Sequence, residues 1–151
     1  MEKHKTITVN RKAFYDYEIL ERVEAGLVLT GTEIKSVRAA RVNLREAYAR
    51  VGNGEAWLYN LHIAPWAGAG PWNHDPLRRR KLLLHKEQVE RLALKVGQQG
   101  LTLVPIRLYI RDHHAKVELA LAKGRRRYDK RQAIMQRESD REVQRALRAR
   151  G

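Results

Sequence analysis

Residues 101–122 read LTLVPIRLYIRDHHAKVELALA, and this stretch is the clearest indication of the fold class. On both sides of residues 112–115 apolar side chains alternate with polar ones. The apolar set is Val104, Ile106, Leu108, Ile110, Val117, Leu119 and Leu121. Alternation with a period of two is typical of a strand with one buried face. The stretch therefore predicts two antiparallel strands joined by a short turn, and Pro105 predicts a bulge or partial edge in the first strand.

A second hairpin is predicted further upstream. Residues 46–51 and 56–63 flank Gly52-Asn53-Gly54, and both residue types accept the positive φ angles of a tight turn. In the second segment a period of two puts four apolar side chains on one face, which predicts that they are buried: Trp57, Tyr59, Leu61 and Ile63. Residues 17–24 and 27–30 predict two more strands, with a break at Ala25-Gly26.

Helices interrupt these strands. Thr30 and Glu33 have capping-box spacing, and residues 86–96 carry an apolar stripe that ends at Gly97. A short helical turn is expected at residues 11–14. We therefore predict a mainly β domain with about three flanking helices. An OB-like closed antiparallel barrel is the leading candidate, because closure removes exposed strand edges.

Positive charge is concentrated at the C-terminus. The chain has 31 Lys and Arg against 17 Asp and Glu, a net charge of +14. Residues 123–151 hold 11 cations against 4 carboxylates, so about half of the excess lies in 29 residues. We predict two parts: a folded body over residues 1–122, and a basic tail over residues 123–151. The tail has little apolar content, so we expect it to be disordered when free and helical when bound.

Composition also excludes several classes of protein. There is no cysteine, which excludes disulfides and thiolate metal sites. No apolar run is long enough to span a membrane, and no signal peptide precedes the first strand, so we expect a cytoplasmic protein. His113-His114 and Asn73-His74-Asp75 lack further ligands at metal-site spacing. We expect no metal, no cofactor, no small-molecule substrate and no catalytic residues.

Two basic segments are candidate contacts for a polyanion. A long loop is predicted over residues 64–80, and four consecutive cations lie at its C-terminal end, Arg78-Arg79-Arg80-Lys81. Such a run suits contacts with a phosphate backbone. In that loop, stacking on bases and anchoring to the body are equally good interpretations of Trp66 and Trp72. Residues 123–131, KGRRRYDKR, place Tyr128 among cations with no core beside it, which favours base stacking.

Several of these stretches together resemble one known family. They are residues 24–38 (EAGLVLTGTEIKSVR), Asn43-Leu44, residues 54–60 (GEAWLYN), residues 74–84 (HDPLRRRKLLL) and residues 122–131 (AKGRRRYDKR). These strings resemble the small protein B family, the tmRNA-binding partners of trans-translation. The resemblance runs from about residue 10 to residue 131.

The resemblance implies an RNA-binding adaptor that binds the tRNA-like domain of tmRNA and enters stalled ribosomes with it as a monomer. By this likeness the tmRNA contacts are Asn10, Lys12, Glu24, Gly26, Lys35, Arg38, Arg45, Tyr48, Lys81 and Leu83. The implied contacts with the ribosome and its decoding centre are Lys123, Gly124, Arg125, Tyr128, Asp129, Lys130 and Arg131. In the family the tail lies in the empty mRNA channel as a helix.

Composition alone leaves three other functions open. A structural ribosomal protein would carry a similar basic tail, and an RNA-processing nuclease would also need a basic surface. A membrane-surface protein is the least favoured, because no amphipathic helix sets large apolar residues opposite a basic face.

Overall fold

The fold is described from a computed structural model, in which residues 4–125, 134–138, 141, 142 and 145 are described. Within residues 4–125 the chain forms β1 His4–Val9, α1 Arg11–Asp16, β2 Tyr17–Leu27, α2 Gly31–Arg38, β3 Val42–Asn43, β4 Tyr48–Gly52, β5 Glu55–Tyr59, β6 His62–Ile63, a 3-10 turn Gly70–Trp72, β7 Arg80–Leu83, α3 Lys86–Gln99, β8 Thr102–Arg111 and β9 His114–Gly124. In the tail, residues 134–138, 141, 142 and 145 are helical. The prediction of a mainly β fold with three helices is confirmed for the part of the chain up to residue 125.

Six antiparallel strands pair in a ring. Their order is β8–β4–β5–β7–β2–β9, and β9 pairs back onto β8. The outermost strand, β1, adds to the other side of β8, where it pairs with residues 107–111. The short pair β3–β6 forms a separate two-stranded sheet. Because every strand of the ring has a neighbour on both sides, the ring offers few free backbone groups.

Both predicted hairpins are confirmed. β8 pairs with β9 across a two-residue turn, Asp112–His113, and β4 pairs with β5 across Asn53–Gly54. All four turn residues have positive φ, between 49° and 75°. Two-residue turns of this handedness match the right-handed twist of paired strands. The predicted bulge is also confirmed, since the β8–β9 register shifts between Pro105 and Arg107.

The break predicted at Ala25-Gly26 is wrong. β2 runs without interruption from Tyr17 to Leu27, and its irregularity lies between Ile19 and Glu21. Ala25 and Gly26 remain extended because they pair with β9 on one side, and Gly26 also pairs with β7 on the other. Long-range pairing therefore overrides the local turn preference.

Trp57 and Tyr59 are not core residues, so their prediction as buried is wrong. Both are only partly buried, whereas Ala56 and Leu58, which alternate with them, are buried. Further along, Leu61 is fully buried, although it has the same parity as Trp57. The reason is Asn60, whose φ of 59° breaks the extended backbone and reverses which side chains face inward.

The strands enclose a main core and leave a smaller one outside the ring. Leu58, Leu103 and Leu119 belong to the main core. The second core forms where α1 packs on β8 and β9, and it contains Ala13, Val104, Ile106, Ala120 and Ala122. β8 and β9 are thus buried on both faces along residues 103–106 and 119–122, and these two short stretches are continuously apolar, whereas the rest of each strand alternates.

The two longer helices begin as expected, but one ends later. Thr30 and Glu33 form the predicted capping box at the start of α2. α3 continues past Gly97 to Gln99 and stops at Gly100, whose φ of 62° is left-handed. Gly97 was therefore the wrong choice of terminator, and Gly100 provides the αL cap.

Candidate nucleic-acid interface

Glu24 lies at the centre of a charged cluster on the outside of the ring. Its two carboxylate oxygens accept hydrogen bonds from Arg111 at 2.9 and 2.5 Å, a bidentate ion pair. The hydroxyl of Tyr109 also donates to Glu24. Burial, with the adjacent carboxylate, raises the pKa of Tyr109, so this hydroxyl stays a proton donor. The negative charge of Glu24 is therefore compensated by its own neighbours in the cluster, although it lies on a basic surface.

Gly26 and Leu83 lie beside this cluster and face each other across β2 and β7. Leu83 is 57% exposed, which is unusual for a leucine in a central strand. A Cβ atom on Gly26 would lie 3.2 Å from the Cβ atom of Leu83, so the glycine allows the close approach. Glu24, Gly26 and Leu83 line one groove together with Arg111 and Lys116. We call this set the Glu24 groove.

Asn10 is a structural residue in this fold. It is 5% exposed, and its side-chain amide donates to the carbonyls of Leu44 and Pro105 at 3.2 and 3.0 Å. Its Oδ1 atom accepts from the backbone of Ala13 and so caps α1. These bonds attach the loop after β3 to α1 and β8. Asn10 thereby positions its neighbours in the fold.

Those neighbours include three further predicted RNA contacts. Lys12, Arg45 and Tyr48 line one depression next to Asn10. Lys12 forms an exposed 2.9 Å ion pair with Glu46, and Arg45 is exposed. The described tail residues Ile134 and Arg137 line an adjoining groove that also contains Lys12 and Arg45.

The remaining body contacts predicted from the resemblance lie elsewhere on the surface. Lys35 and Arg38 are exposed on α2. Lys81 is on the outer face of β7 and reaches Glu55 at 3.7 Å. The structure therefore distributes the ten predicted body residues among the Glu24 groove, the Asn10 depression, α2 and the outer face of β7.

The basic run at residues 78–81 is not a continuous cationic strip. Arg80 is fully buried, and its Nε atom donates to the buried carboxylate of Glu33 at 2.6 Å. Arg78 donates to the same carboxylate at 2.6 Å but its side chain stays 37% exposed, and Arg79 and Lys81 lie over Trp57 on the outer surface. The interpretation of all four cations as phosphate contacts is wrong for Arg80, because it is buried and neutralises Glu33.

Glu33 and Arg80 hold the long loop in place. Burial opposes ionisation of Glu33, but hydrogen bonds from Arg78, Thr30 and Arg80 outweigh it and lower the pKa to about 2. Arg80 also donates to the carbonyls of Leu61, Pro76 and Asp75. Burial lowers the pKa of Arg80, although Glu33 partly offsets this. No local pattern indicates this pair, since its members are 47 positions apart.

The outer face of β4, β5 and β7 carries aromatic rings packed against cations. The rings of Tyr48 and Tyr59 stack with centroids 5.5 Å apart, and the guanidinium of Arg50 lies 5.5 Å from each. The guanidinium of Arg79 lies 4.1 Å from the centre of the Trp57 ring. Sequence reasoning missed this surface because it assigned Trp57 and Tyr59 to the core. The apolar residues Ala56 and Leu58, which alternate with Trp57 and Tyr59, could have indicated that the opposite face of β5 is the buried one.

The two loop tryptophans differ. Trp66 is half-buried. The side chain of Asn73 forms two hydrogen bonds with the Trp66 backbone, accepting from its amide and donating to its carbonyl. Trp72 is 87% exposed. Trp66 thus helps to anchor the loop, and Trp72 is presented to solvent.

At the C-terminal end of the body, β9 extends two residues past the predicted boundary at 122. Lys123 and Gly124 pair with β2, and the backbone of Arg125 donates to Asp16. Tyr128, Asp129, Lys130 and Arg131 lie outside the described residues. Among the described residues no helix is long and apolar enough to cross a membrane, and no cluster of His, Asp or Glu has a geometry suited to a metal ion.

A ring of β-strands with an outer surface of cations, exposed rings and compensated carboxylates defines a basic RNA-binding module. Over residues 7–149 the chain matches the family model described as SmpB protein, and it belongs to the SmpB family.

Similar proteins cover almost the whole chain. The SsrA-binding protein of Carboxydothermus hydrogenoformans is 54% identical over 97% of this chain and 98% of its own length. The SsrA-binding proteins of Thermosynechococcus vestitus and Streptococcus pneumoniae are 54% and 53% identical over 97% and 96% of this chain, and over 97% and 94% of their own lengths. A chain from a solved structure described as "tmRNA-SmpB: a journey to the center of the bacterial ribosome" has a TM-score of 0.68 and 50% identity, covering 84% of this chain and 93% of that chain.

Proposed function

We propose that this protein is an adaptor that binds the tRNA-like domain of tmRNA and delivers it to stalled ribosomes for trans-translation. The observation that carries the proposal is the full-length similarity to SsrA-binding proteins, at 54% identity over 97% of the chain. The net charge of +14 and the exposed cations of the body suit a folded RNA partner.

Within the body, we assign the primary contact with tmRNA to the Glu24 groove. A carboxylate repels phosphate, so the role of Glu24 is to orient Arg111 and Tyr109 and to accept hydrogen bonds from ribose or base donors. Leu83 supplies an exposed apolar surface next to it, which suits the face of an unpaired base. Lys12, Arg45, Lys35, Arg38, Tyr48 and Lys81 are assigned as surrounding contacts, and Asn10 as the residue that positions the first two.

The tail is assigned a separate task. We propose that the tail beyond β9 is disordered in the free protein and becomes a helix in the empty mRNA channel. Lys123 and Gly124 end β9, and Arg125 would connect it to the rest of the tail. Tyr128, with Asp129, Lys130 and Arg131, would reach the decoding centre.

The remaining assignments concern architecture and cellular context. We propose that the ring of strands is an OB-like barrel, since six antiparallel strands pair in a closed cycle. We also propose that the protein acts in the cytoplasm as a monomer, as an adaptor without catalysis of its own. Incubation of labelled tmRNA with the pure protein and a divalent cation would yield cleavage products if it were a nuclease instead.

The division of labour between body and tail can be tested with two variants. The double substitution Glu24→Ala/Leu83→Ala is expected to weaken binding to tmRNA, whereas a chain truncated after Tyr128 is expected to bind it nearly as well as the full chain. On stalled ribosomes, the truncated chain is expected to lose tagging. Gel-shift titration measures the first property, and a reconstituted tagging assay measures the second.

Arg41→Ala is the matched control, because Arg41 is exposed and lies outside the assigned contacts. Equal losses of tmRNA affinity in the double variant and the truncated chain would contradict the division of labour. A structural ribosomal protein would instead sediment with most ribosomes, whereas a rescue adaptor is expected on a small fraction of them.

A further inference from the structure

The outer face of β4, β5 and β7 carries two neighbouring ring–cation groups, Arg50 with Tyr48 and Tyr59 and Arg79 with Trp57, which we together call the aromatic–arginine ladder. Strand register brings its members together, because Tyr48 is opposite Tyr59 and Arg50 is opposite Trp57. Lys81 pairs with Trp57 from β7, and its Nζ atom lies 6.0 Å from the ring centre. Three strands thus contribute to one surface.

The positive charge of the ladder is only partly compensated, because a single carboxylate, Glu55, interacts electrostatically with both Lys81 and Arg79. Glu55 is the nearby carboxylate, and it is occupied by the indole N–H of Trp57 at 3.0 Å and by Lys81 at 3.7 Å. Within residues 4–125, neither Arg50 nor Arg79 forms an ion pair with a carboxylate, and both are exposed. The surface therefore presents two guanidinium groups, held on rings, that are available to an anionic partner.

A second arginine–aromatic contact in the protein gives a useful contrast. The guanidinium of Arg107 lies 4.3 Å from the ring of Tyr109, but Arg107 pairs with Glu118 and Tyr109 donates to Glu24. In that contact both the arginine and the tyrosine also bind a carboxylate, so the contact stabilises the sheet. The two arginines of the ladder contact rings in a similar way but form no ion pair within residues 4–125, so stabilisation of the sheet alone does not explain their arrangement.

We propose that the aromatic–arginine ladder is a second RNA-binding surface, distinct from the Glu24 groove, and that it takes a single-stranded segment with unpaired bases. A base stacks on the outer side of the Arg79 guanidinium, whose central carbon lies 4.1 Å from the Trp57 ring centre, and Arg50 with Lys81 neutralises the adjoining phosphates. Trp57 acts as a positioning residue. An acidic peptide would use the charges but would gain nothing from the flat stacked geometry, so RNA is the favoured partner. The inference rests on the proposed function in taking RNA as the ligand, and it shares Tyr48 and Lys81 with the contacts assigned there, whereas Trp57 and Arg79 belong to the ladder alone.

The test uses the full chain with Trp66→Phe and Trp72→Phe, which leaves Trp57 as the sole tryptophan, since the chain has three. A short, unstructured oligoadenylate is expected to quench Trp57 fluorescence on binding. An oligonucleotide of equal length with abasic sites keeps the phosphates and is expected to bind more weakly, with little quenching. This local signal separates the ladder from binding by the basic tail.

Arg79→Lys is the decisive variant, because it keeps the charge and removes the planar stacking surface. The expected loss of oligoadenylate affinity is about 5- to 100-fold, the effect of losing one stacked base. Trp57→Leu is expected to give a similar loss, with thermal unfolding as a check on folding. Arg41→Lys, away from the ladder, is expected to bind like the parent chain.

Three results would overturn the proposal: equal binding of base-bearing and abasic oligonucleotides, unchanged affinity in Arg79→Lys, or equal competition by an acidic peptide. Binding of a tRNA-shaped RNA is measured in parallel. If the parent chain fails to bind that RNA while oligoadenylate binding still depends on Arg79, the proposed function fails and the ladder stands. If the parent chain binds the tRNA-shaped RNA but oligoadenylate binding does not depend on Arg79, the ladder proposal fails and the proposed function stands.

Discussion

At the scale of single residues, Glu33 is the side chain whose charge matters most to the fold. It is fully buried, and its two oxygens are shared between Arg78, Arg80 and the backbone of Thr30. Removing its charge leaves Arg80 buried without an anionic partner. A buried charge without its partner destabilises the fold far more than the loss of a surface ion pair does.

We therefore expect Glu33→Gln to lower the free energy of unfolding by about 3–5 kcal/mol. The measurement is urea denaturation at neutral pH. Glu46→Gln is the matched control, since it removes the exposed ion pair with Lys12 and is expected to cost at most about 1 kcal/mol. Similar losses in the two variants would contradict the assigned role of Glu33.

The same residue predicts a pH dependence. Its folded-state pKa is about 2, below the ordinary value of 4.5, so the unfolded chain binds the proton more readily. Its contribution to stability is therefore complete above pH 4.5 and is lost as the pH falls towards 2. The difference in unfolding free energy between the parent chain and Glu33→Gln should narrow over this window, as measured by urea denaturation at successive pH values. A constant difference would show that ionisation of Glu33 does not stabilise the fold.

Gly26 has a residue-scale role that concerns binding rather than stability alone. A Cβ atom there would press on the Cβ atom of Leu83, which cannot rotate away because it is fixed to β7. Gly26→Ala is expected to separate the two strands and to cost about 1–3 kcal/mol of stability. It should also weaken tmRNA binding in a gel-shift titration, because Leu83 is displaced. Gly52→Ala is the control, since no atom lies within 4 Å of the added group.

At the scale of secondary-structure elements, α1 depends on a single side chain. Asn10 caps the helix and donates to the carbonyls of Leu44 and Pro105. Asn10→Asp keeps the cap acceptor and loses both donors, whereas Asn10→Ala loses all three bonds. In urea denaturation Asn10→Ala is expected to be less stable by about 1–3 kcal/mol, and Asn10→Asp to lose more, because its buried carboxylate would face the carbonyl oxygens of Leu44 and Pro105. An aspartate variant as stable as the parent chain would show that the loop contacts contribute nothing.

The elements also show what sequence patterns can and cannot predict. The β8–β9 hairpin, the β4–β5 turn and the cap of α2 were predictable, because each is specified by neighbouring residues. β1 and β7 were missed, since both are short, basic stretches that become strands by pairing with distant partners. The exposure of Trp57 depends on the left-handed backbone at Asn60, which no period-two pattern includes.

The candidate site followed the same rule. Composition and the basic segments indicated RNA, and the exposed positions of Leu83 and Lys81 fit that expectation. The burial of Arg80 and the structural use of Asn10 could not be read from the sequence, because both depend on partners more than 30 positions away. Charge runs predict a type of partner, whereas tertiary contacts decide which of the charges remain available to it.

At the scale of the whole molecule, body and tail carry equal charge at very different densities. Each has a net charge of +7, the body over 122 residues and the tail over 29. Binding to RNA releases counterions, and each neutralised phosphate contributes roughly 0.7–0.9 to the slope of log affinity against log salt. The slope therefore counts the phosphates that each part contacts.

If the body alone grips the tRNA-like RNA, the full chain and the chain truncated after Tyr128 should show the same steep slope with that isolated RNA. The charge of the tail then acts only where a vacant groove orders it, which is on the ribosome. A filter-binding series over increasing salt measures both slopes. A slope shallower by several units in the truncated chain would mean that the tail already contacts phosphates in the free complex, and the separation of tasks between body and tail would be wrong.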